Sequence, residues 1–320
     1  MRPAAETERF ELAGGVIAFA LTCTFAIVLC LRHMSFAWRD SLFICALIAL
    51  VMAVSVLYRT LRRDRRIAHL TFSLALLLWS ACVVGGVTLA ALGWRVPLAD
   101  ATLAHVDHAI GFPTTAFIAA VSHHPAFATL CGKLYQISDA AVIAALIALT
   151  LLGRIDRVAE LGFLFVATIA LCAVVGVVAP AYGTFTYLHV PPDVREHLPA
   201  GAGVYYMREM MAYRSGLIDK VSFRHLMGVI TFPSFHTCMV LITCYAFRRM
   251  GWIFWGVIAF NVLVSLSIMP IGGHYMTDVL GGIVVTAIAI AAAGALRRVQ
   301  EALAIAPSAL YPNAAGQGGR

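Results

Sequence analysis

The chain has 320 residues, of which 61% are hydrophobic and only 12% are charged. Soluble domains carry about 45–50% apolar and about 25% charged residues, so this composition excludes an ordinary soluble protein and predicts an integral membrane protein. The net charge is +7, but the arginines stand in short blocks between apolar segments. That pattern is typical of membrane topology and argues against nucleic-acid binding.

Eight apolar segments have, or come close to, the length of a helix that crosses a membrane. In chain order they are Leu12–Leu31, Ser41–Tyr58, Ile67–Leu92, Ile137–Leu152, Leu161–Val178, Pro233–Phe247, Trp252–Met269 and Met276–Leu296. The first is predicted to be an uncleaved anchor, because acidic residues precede it and no clear signal-peptide cleavage site follows. The fold class predicted is all-α, with about eight transmembrane helices.

Two intervening segments differ from these crossings. Gly93–Gln136 contains three prolines and is predicted to form interfacial pieces, whereas Pro180–Ile230 is a long polar loop. Four short basic blocks follow apolar segments, three of them in connections between segments and the fourth after the last segment. They are Arg59–Arg66, Arg154–Arg157, Arg248–Arg249 and Arg297–Arg298. Placing the first block in the cytoplasm places them all there, together with both termini, and puts the two long segments outside. No organellar signal stands out, so we expect a bacterial inner membrane.

Two polar islands interrupt the apolar pattern on the predicted external side. One is IGGHYMTDVLGG, Ile271–Gly282, and the other is FPSFHT, Phe232–Thr237. The spacing of His274 and Asp278 predicts that both side chains lie on one helix face, about one turn apart. Ionisable residues at the mouth of a membrane helix are costly, so they indicate a functional site.

These residue types suit phosphoryl transfer without a metal ion. A neutral imidazole can attack phosphorus when a carboxylate holds its other nitrogen, which favours His274 as nucleophile and Asp278 as its partner. His236 could then protonate the leaving oxygen. A purely structural His274–Asp278 pair is the alternative. No cluster of ligands at zinc spacing occurs, and no metal or other cofactor is expected.

The same islands are predicted to hold an anion. Both histidines stand at predicted helix N-termini, where free N–H groups and the helix dipole favour a phosphate. Gly273, after Gly272, lets the backbone approach a phosphate closely. Ser234 could donate its hydroxyl to a phosphate oxygen, and an ordinary role as a helix N-terminal hydroxyl is equally compatible with its position.

The two islands resemble the type 2 phosphatidic acid phosphatase superfamily, which carries Pro-Ser-x-His and a later His-x-x-x-Asp. Here these read Pro233–His236 and His274–Asp278. The loop before the first motif and the sequence PIGGHYMTDVLGG resemble the branch of the inositol phosphorylceramide synthases. The resemblance covers roughly Gly93–Leu296 and implies a helical membrane core. It implies a phosphohistidine at His274, an orienting Asp278 and a general acid at His236, with Ser234 helping to hold the phosphate.

Two basic elements of that superfamily are missing. Its phosphatases usually have an arginine six residues before the second histidine, where this chain has Ile268. Their lysine with Arg-Pro six residues later is also missing, since Lys133 has no Arg-Pro at that spacing. We therefore expect Arg208, Arg214 and Lys220 of the long loop to supply the positive charge around the phosphate. A phosphodiester carries one negative charge and needs less compensation than a monoester, so the loss favours transfer of a lipid head group.

The sequence thus predicts N-terminal transmembrane helices at residues 1–92, a phosphatase- or phosphotransferase-like membrane domain at 93–298 and a mobile tail at 299–320. The predicted function is transfer of a phosphoryl head group between a donor and an acceptor membrane lipid. A lipid phosphate phosphatase, acting on phosphatidic acid or an isoprenyl pyrophosphate, is one alternative, and a non-catalytic transporter or scaffold is another. Neither lipid, nor the residues that read the head group, nor the oligomeric state follows from the sequence.

Overall fold

The computed structural model describes residues 2–310, with side chains from 6 to 298. Thirteen α-helices account for nearly all of its regular structure: α1 Arg2–Leu31, α2 Trp38–Thr60, α3 Arg65–Ala91, α4 Asp100–Ala109, α5 Thr114–Ser122, α6 Pro125–Leu151, α7 Ile155–Val178, α8 Thr184–Tyr187, α9 Pro192–Glu196, α10 Met207–Ser215, α11 Phe235–Ala246, α12 Trp252–Gly272 and α13 Met276–Leu310. Two short strands, β1 Ser35–Phe36 and β2 Lys220–Val221, pair in parallel.

The all-α membrane architecture is confirmed. Within the described residues, seven helices are long and apolar enough to cross a membrane, namely α1, α2, α3, α6, α7, α12 and α13. The remaining predicted crossing, the sixth in chain order, is α11, which has only 12 residues. At 1.5 Å per residue it extends about 18 Å, well short of a hydrocarbon core about 30 Å thick. A chain segment at one end of α11 must therefore sit within the membrane-spanning bundle.

The predicted start of the fourth crossing is wrong. Helix α6 begins at Pro125 rather than at Ile137, so the last part of the segment predicted to be interfacial belongs to a membrane helix. Proline is compatible with the first helical turn, because an N–H at that position would have no partner within the helix. Polar residues follow Pro125, and for that reason the apolar pattern in the sequence begins later than the helix. Helix α13 continues past residue 298 to Leu310, into the predicted tail, while residues 311–320 lie outside the described part.

Helix α7 is the centre of the bundle. Its residues from Arg157 to Ile169 are buried on every face, and the helix packs against α1, α3, α11 and α13. A helix that is apolar all round is expected in the interior of a membrane bundle. Helices α6 and α12 pack on each other and on α11, which places α11 between α7 and the α6–α12 pair.

The N-terminal helices hold the loop that precedes α11. Strand β1, between α1 and α2, pairs with β2, and the buried Phe223 N–H donates to Ser41 Oγ at 3.0 Å. The Phe223 ring packs against three other aromatic rings, those of Phe25, Phe36 and Trp79. The loop is therefore fixed to helices that lie outside the predicted catalytic segment.

The far end of α11 is fixed by a buried arginine in the first turn of α7. Arg157 Nη1 donates to the main-chain oxygens of Ala246 and Arg248, both at 2.7 Å. The last carbonyls of a helix have no partner within the helix, so this side chain satisfies the C-terminus of α11. Its position also fixes the depth of the opposite end of α11, where His236 lies.

Arg157→Met is expected to lower the stability of the fold. The change leaves the two carbonyls without their charged donor, and a hydrogen bond to a charged group contributes about 1.5–3 kcal/mol. Thermal unfolding in detergent measures the effect. Arg154→Met is the control, since Arg154 is half-exposed and pairs only with Asp156. An equal melting temperature for Arg157→Met and Arg154→Met would contradict the prediction.

Candidate active site

His274 and Asp278 form the hydrogen bond that their spacing predicts. Helix α12 ends at Gly272, and His274 lies in the short turn before α13. His274 Nδ1 donates to Asp278 Oδ2 at 3.0 Å, and the Tyr275 N–H donates to the same oxygen at 2.9 Å. Both side chains are almost fully buried, at 4% and 0% exposure. The carboxylate therefore fixes the tautomer of the imidazole, and Nε2 has no hydrogen-bond partner among the described residues.

His236 lies opposite this pair, in the first turn of α11. The centroids of the His236 and His274 rings are 6.3 Å apart. A reacting atom approaches within roughly 3–3.5 Å of a nucleophile, and a general acid works at a hydrogen-bond distance of roughly 2.6–3.2 Å. The two rings are therefore close enough for one phosphoryl group to contact both.

Two tyrosines support His236. The Tyr135 ring of α6 stacks on His236 with centroids 4.1 Å apart, and its hydroxyl lies 3.3 Å from His236 Nδ1. Tyr135 also hydrogen-bonds to Tyr205, hydroxyl to hydroxyl, at 3.0 Å. Burial, and then the nearby Asp139 carboxylate, raise the pKa of Tyr205, which keeps that phenol protonated at neutral pH. The sequence interpretation missed both tyrosines, because neither stands in a recognisable motif.

The two motifs are joined through the backbone. The Ser234 N–H donates to the main-chain oxygen of Asp278 at 2.9 Å. Ser234 Oγ accepts the Thr237 N–H at 3.4 Å, so Ser234 caps α11. Its side chain is fully buried and is not part of the cavity wall described below. Of its two predicted roles, the structure shows the helix cap.

Glycines in the second motif allow this close approach. A Cβ on Gly282 would lie 2.6 Å from the Ser234 carbonyl and 2.7 Å from Thr237 Cβ. A Cβ on Gly272 would lie 2.8 Å from both His274 Cδ2 and the Tyr135 hydroxyl. Side chains at these positions would push α13 away from α11, or the histidine away from the tyrosine.

An aspartate of α4 caps the first turn of α13. Asp107 accepts from the N–H groups of Met276 and Thr277 at 3.0 and 2.8 Å, and from the Thr277 hydroxyl at 2.6 Å. It also accepts from the Thr114 hydroxyl at 2.6 Å. The expectation of free N–H groups for a phosphate at this helix start is therefore wrong, because a carboxylate already occupies them.

A second aspartate of the same helix holds the turn from the other side. Asp100 accepts from the N–H groups of Tyr182 and Gly183 at 2.8 and 2.9 Å, and from the Tyr275 hydroxyl at 3.0 Å. Both α4 aspartates are buried, at 2% and 3% exposure. Their seven-residue spacing, two helical turns on one face, is a signal in the sequence that the motif-based interpretation passed over.

The start of α11 offers the free donors instead. The N–H groups of Phe235 and His236 have no acceptor among the described residues. Gly273, predicted to approach a phosphate, has a φ of 76° and donates its own N–H to Met269. A Cβ there would lie 2.8 Å from the Gly203 carbonyl, so this glycine packs against the loop and has no spare N–H.

Both histidines line a cavity of about 660 Å³. Its polar lining consists of His236, His274, three tyrosines, one amide, one carboxyl group and two threonines. These other polar residues are Tyr135, Tyr205, Tyr206, Gln136, Asp139, Thr88 and Thr231. The rest of the wall is apolar or glycine and comes largely from α3, α6 and the loop before α11. The cavity reaches from the catalytic groups to the apolar sides of membrane helices.

The three predicted phosphate-binding cations lie elsewhere. Arg208 has a 92% exposed side chain that pairs with Glu209, and Arg214 donates to the Val96 carbonyl. Lys220 is an exposed residue of β2. None of the three lines the cavity, and none of the described lining residues is a lysine or an arginine.

Comparison with known families assigns this arrangement. The model of the PAP2 superfamily, the type 2 phosphatidic acid phosphatases, matches residues 101–292. The chain belongs to the PAP2 superfamily. Its members are phosphatases and phosphotransferases of lipid phosphates, so the chain is an integral membrane enzyme of this general type. No curated protein and no solved structure matches the chain significantly.

The PAP2 match runs from α4 into α13 and includes both histidines and Asp278. It also includes Asp107, which lies at the start of the matched region. Helices α1 to α3 lie outside it, yet α3 supplies one wall of the cavity. The candidate catalytic groups thus lie within the PAP2 match, whereas part of the cavity in front of them is lined by α3, outside that match.

Gly272→Ala is expected to reduce turnover at least about tenfold, because the added methyl group displaces the His274 ring or Tyr135, and small misplacements at a catalytic centre cost up to about 10²-fold. Gly256→Ala in the same helix is the matched control, since its Cβ would meet nothing within 4 Å. Turnover per folded molecule measures both. Equal activity of the two variants would show that the tight contact at Gly272 is unimportant.

Asp107→Ala is expected to lower both activity and stability. The change removes the acceptor of four hydrogen bonds, and loss of a helix N-cap costs about 0.5–2 kcal/mol. Asp193→Ala, at an exposed position of α9, is the control. Melting temperature and turnover are measured together. Wild-type values for Asp107→Ala would mean that α13 begins correctly without its carboxylate cap.

Proposed function

We propose that the chain transfers a phosphoryl head group from a donor phospholipid to a lipid alcohol through a phosphohistidine at His274, without a metal ion. One observation carries the proposal. The buried Asp278 carboxylate holds His274 Nδ1, and the ring lines the same cavity as His236, 6.3 Å away. An oriented imidazole with a free Nε2 is a nucleophile, and the facing imidazole is placed to move a proton.

The first half-reaction forms the covalent intermediate. Nε2 of His274 attacks the phosphorus of the donor diester, and the bond between phosphorus and the lipid oxygen breaks. Protonated His236 gives its proton to that oxygen, which leaves as the free lipid alcohol. The positive charge that develops on His274 is stabilised by Asp278, as in a serine-protease triad.

The second half-reaction reverses these roles. The hydroxyl of the acceptor lipid attacks the same phosphorus and gives its proton to His236. The bond between phosphorus and nitrogen breaks, its electron pair returns to Nε2, and the head group is now carried by the acceptor. Proton and phosphoryl group are both conserved, so the enzyme needs no co-reactant besides the two lipids.

The charge of the cavity supports a diester substrate. With no lysine or arginine among its described lining residues, the site offers imidazoles, hydroxyls and the first N–H groups of α11 to the phosphate. A helix N-terminus favours an anion through its dipole and its free donors. These groups suit the single charge of a phosphodiester better than the nearly double charge of a monoester. The resemblance to the inositol phosphorylceramide synthase branch points the same way.

The basic blocks support one orientation in the membrane. With the four arginine blocks in the cytoplasm, both termini lie there and the two histidines face the opposite side, which for a bacterial inner membrane is the outside. The donor and acceptor lipids would then be drawn from the outer leaflet.

His274→Ala and Asp278→Asn are expected to reduce turnover by at least about 10³-fold, the scale on which catalytic triads lose activity. The purified enzyme is given a head-group-labelled phospholipid, and the acid-labile phosphoenzyme, free head-group phosphate and new lipid product are followed separately. The matched control is His69→Ala. His69 is also buried, with Nδ1 2.6 Å from a carboxylate of Glu11, but it lies outside the cavity.

The outcomes separate the candidate functions. A phosphoenzyme that persists in His274→Ala would falsify the proposed nucleophile. Release of free phosphate compounds without a lipid product, whatever the acceptor, would make the protein a lipid phosphate phosphatase. Absence of any turnover, together with wild-type behaviour of every variant, would identify a non-catalytic membrane protein.

A further inference from the structure

An unpaired carboxyl group lies near the middle of a membrane-spanning helix. Asp139 belongs to α6, which has 27 residues between Pro125 and Leu151. Its side chain is exposed and lines the same cavity as His236 and His274. Gln136, one turn earlier on α6, is also exposed and also lines the cavity. These two side chains are the polar part of an otherwise apolar stretch of cavity wall.

Neither side chain has a partner among the residues whose side chains the structure describes. No described residue hydrogen-bonds to the side chain of Asp139 or of Gln136, and no described cation pairs with Asp139. A carboxyl group at the centre of a bilayer is costly. Such groups in membrane proteins therefore pair with something or line a site that takes up a polar ligand.

The position of Asp139 relates it directly to the catalytic groups. Tyr135, one helical turn earlier on α6, stacks on His236, so Asp139 lies about 6 Å further along the helix axis. Asp139 is also near enough to Tyr205 to raise its pKa. Asp139 thus lies one turn beyond the Tyr135 ring that stacks on His236, toward the middle of a membrane-spanning helix.

The chemistry of the two half-reactions defines what passes this point. The head group stays with the phosphorus, while the two lipid alcohols occupy the same place in turn, first as leaving group and then as acceptor. The anionic phosphate itself is disfavoured beside a carboxylate, because like charges repel. The group that meets Asp139 is therefore part of a lipid alcohol.

We propose that Asp139 and Gln136 form the binding subsite for the acceptor lipid, where they bind a second hydrogen-bond donor, a hydroxyl or an amide N–H, that lies beside the reacting hydroxyl. A carboxylate only accepts hydrogen bonds, and the amide of Gln136 both accepts and donates. An alcohol flanked only by ester groups offers no such donor. The subsite therefore selects lipid alcohols with an additional hydroxyl or amide over diacylglycerol-type alcohols.

This inference rests on the transferase function proposed above. It also gives a role to α3, a helix outside the PAP2 match. The cavity wall contributed by α3 includes Leu77, Leu78 and Val84, which are apolar. These residues lie outside the family match. They provide an apolar surface for a hydrocarbon chain, whereas α6 provides the polar contact near its alcohol end.

The test compares Asp139→Asn and Asp139→Leu with the wild-type enzyme. Each is given one labelled donor phospholipid and one of two acceptors: an N-acylated amino-alcohol lipid, which has an additional hydroxyl and an amide N–H, or diacylglycerol. Phosphoenzyme formation from the donor alone is measured in parallel. We expect Asp139→Leu to raise the KM for the N-acylated acceptor at least tenfold and to leave phosphoenzyme formation within about twofold of wild type. Asp139→Asn keeps an accepting oxygen, so its KM for the N-acylated acceptor is expected to lie between those of the wild type and Asp139→Leu.

The control is Asp156→Asn, the same chemical change at the start of α7 and outside the cavity. It is expected to leave all three rates unchanged. A purely structural role for Asp139 predicts instead that Asp139→Leu lowers phosphoenzyme formation and transfer to both acceptors by the same factor, and this outcome overturns the subsite.

The two proposals fail in different ways. If the wild-type enzyme transfers the head group but both Asp139 variants keep the wild-type KM for both acceptors, the subsite is wrong and the transferase function stands. If the wild-type enzyme forms the phosphoenzyme and releases it only to water, the transferase function is wrong and the acceptor subsite falls with it.

Discussion

The site depends on one hydrogen-bonded junction, at Asp278. Its side chain accepts from the His274 ring and the Tyr275 N–H, and its main-chain oxygen accepts from the Ser234 N–H. One residue therefore orients the candidate nucleophile, closes the turn before α13 and fixes the start of α11, where His236 lies. Because a buried carboxylate that loses its donors is costly, the two helix starts form one rigid unit, and the distance between the two histidines follows from it.

A balance of charges decides where an anion can bind. Two helix N-termini converge on the site, and at each the first N–H groups have no partner within the helix and lie at the positive end of its dipole. At α13 the Asp107 carboxylate of α4 occupies those groups, whereas at α11 the first two N–H groups remain open within the described structure. Of the two helix starts, that of α11 is therefore the one whose described N–H groups are open to an anion, and it also carries His236. The turn that carries the nucleophile is stabilised by an internal carboxylate.

Short α11 explains how such a polar site is reached inside an apolar bundle. Its 12 residues cannot cross the hydrocarbon core alone, and Arg157 fixes its far end. The near end is therefore recessed, and the loop before it, tied to the N-terminal helices through β1 and β2, completes the wall. The cavity that results joins the catalytic groups to apolar helix surfaces, a geometry suited to substrates that remain in the membrane.

The sequence by itself determined the membrane class, most of the helices and the His274–Asp278 contact, because apolar length and four-residue spacing are local properties of the chain. It also pointed to His236, through the Pro-Ser-x-His motif at Pro233–His236. Only the tertiary structure decided which side chains surround the histidines. Tyr135, Asp100, Asp107 and Asp139 are brought there by the packing of α4 and α6, whereas Arg208, Arg214 and Lys220 lie away from the cavity. Long-range packing sets those positions, and no spacing along the chain records it.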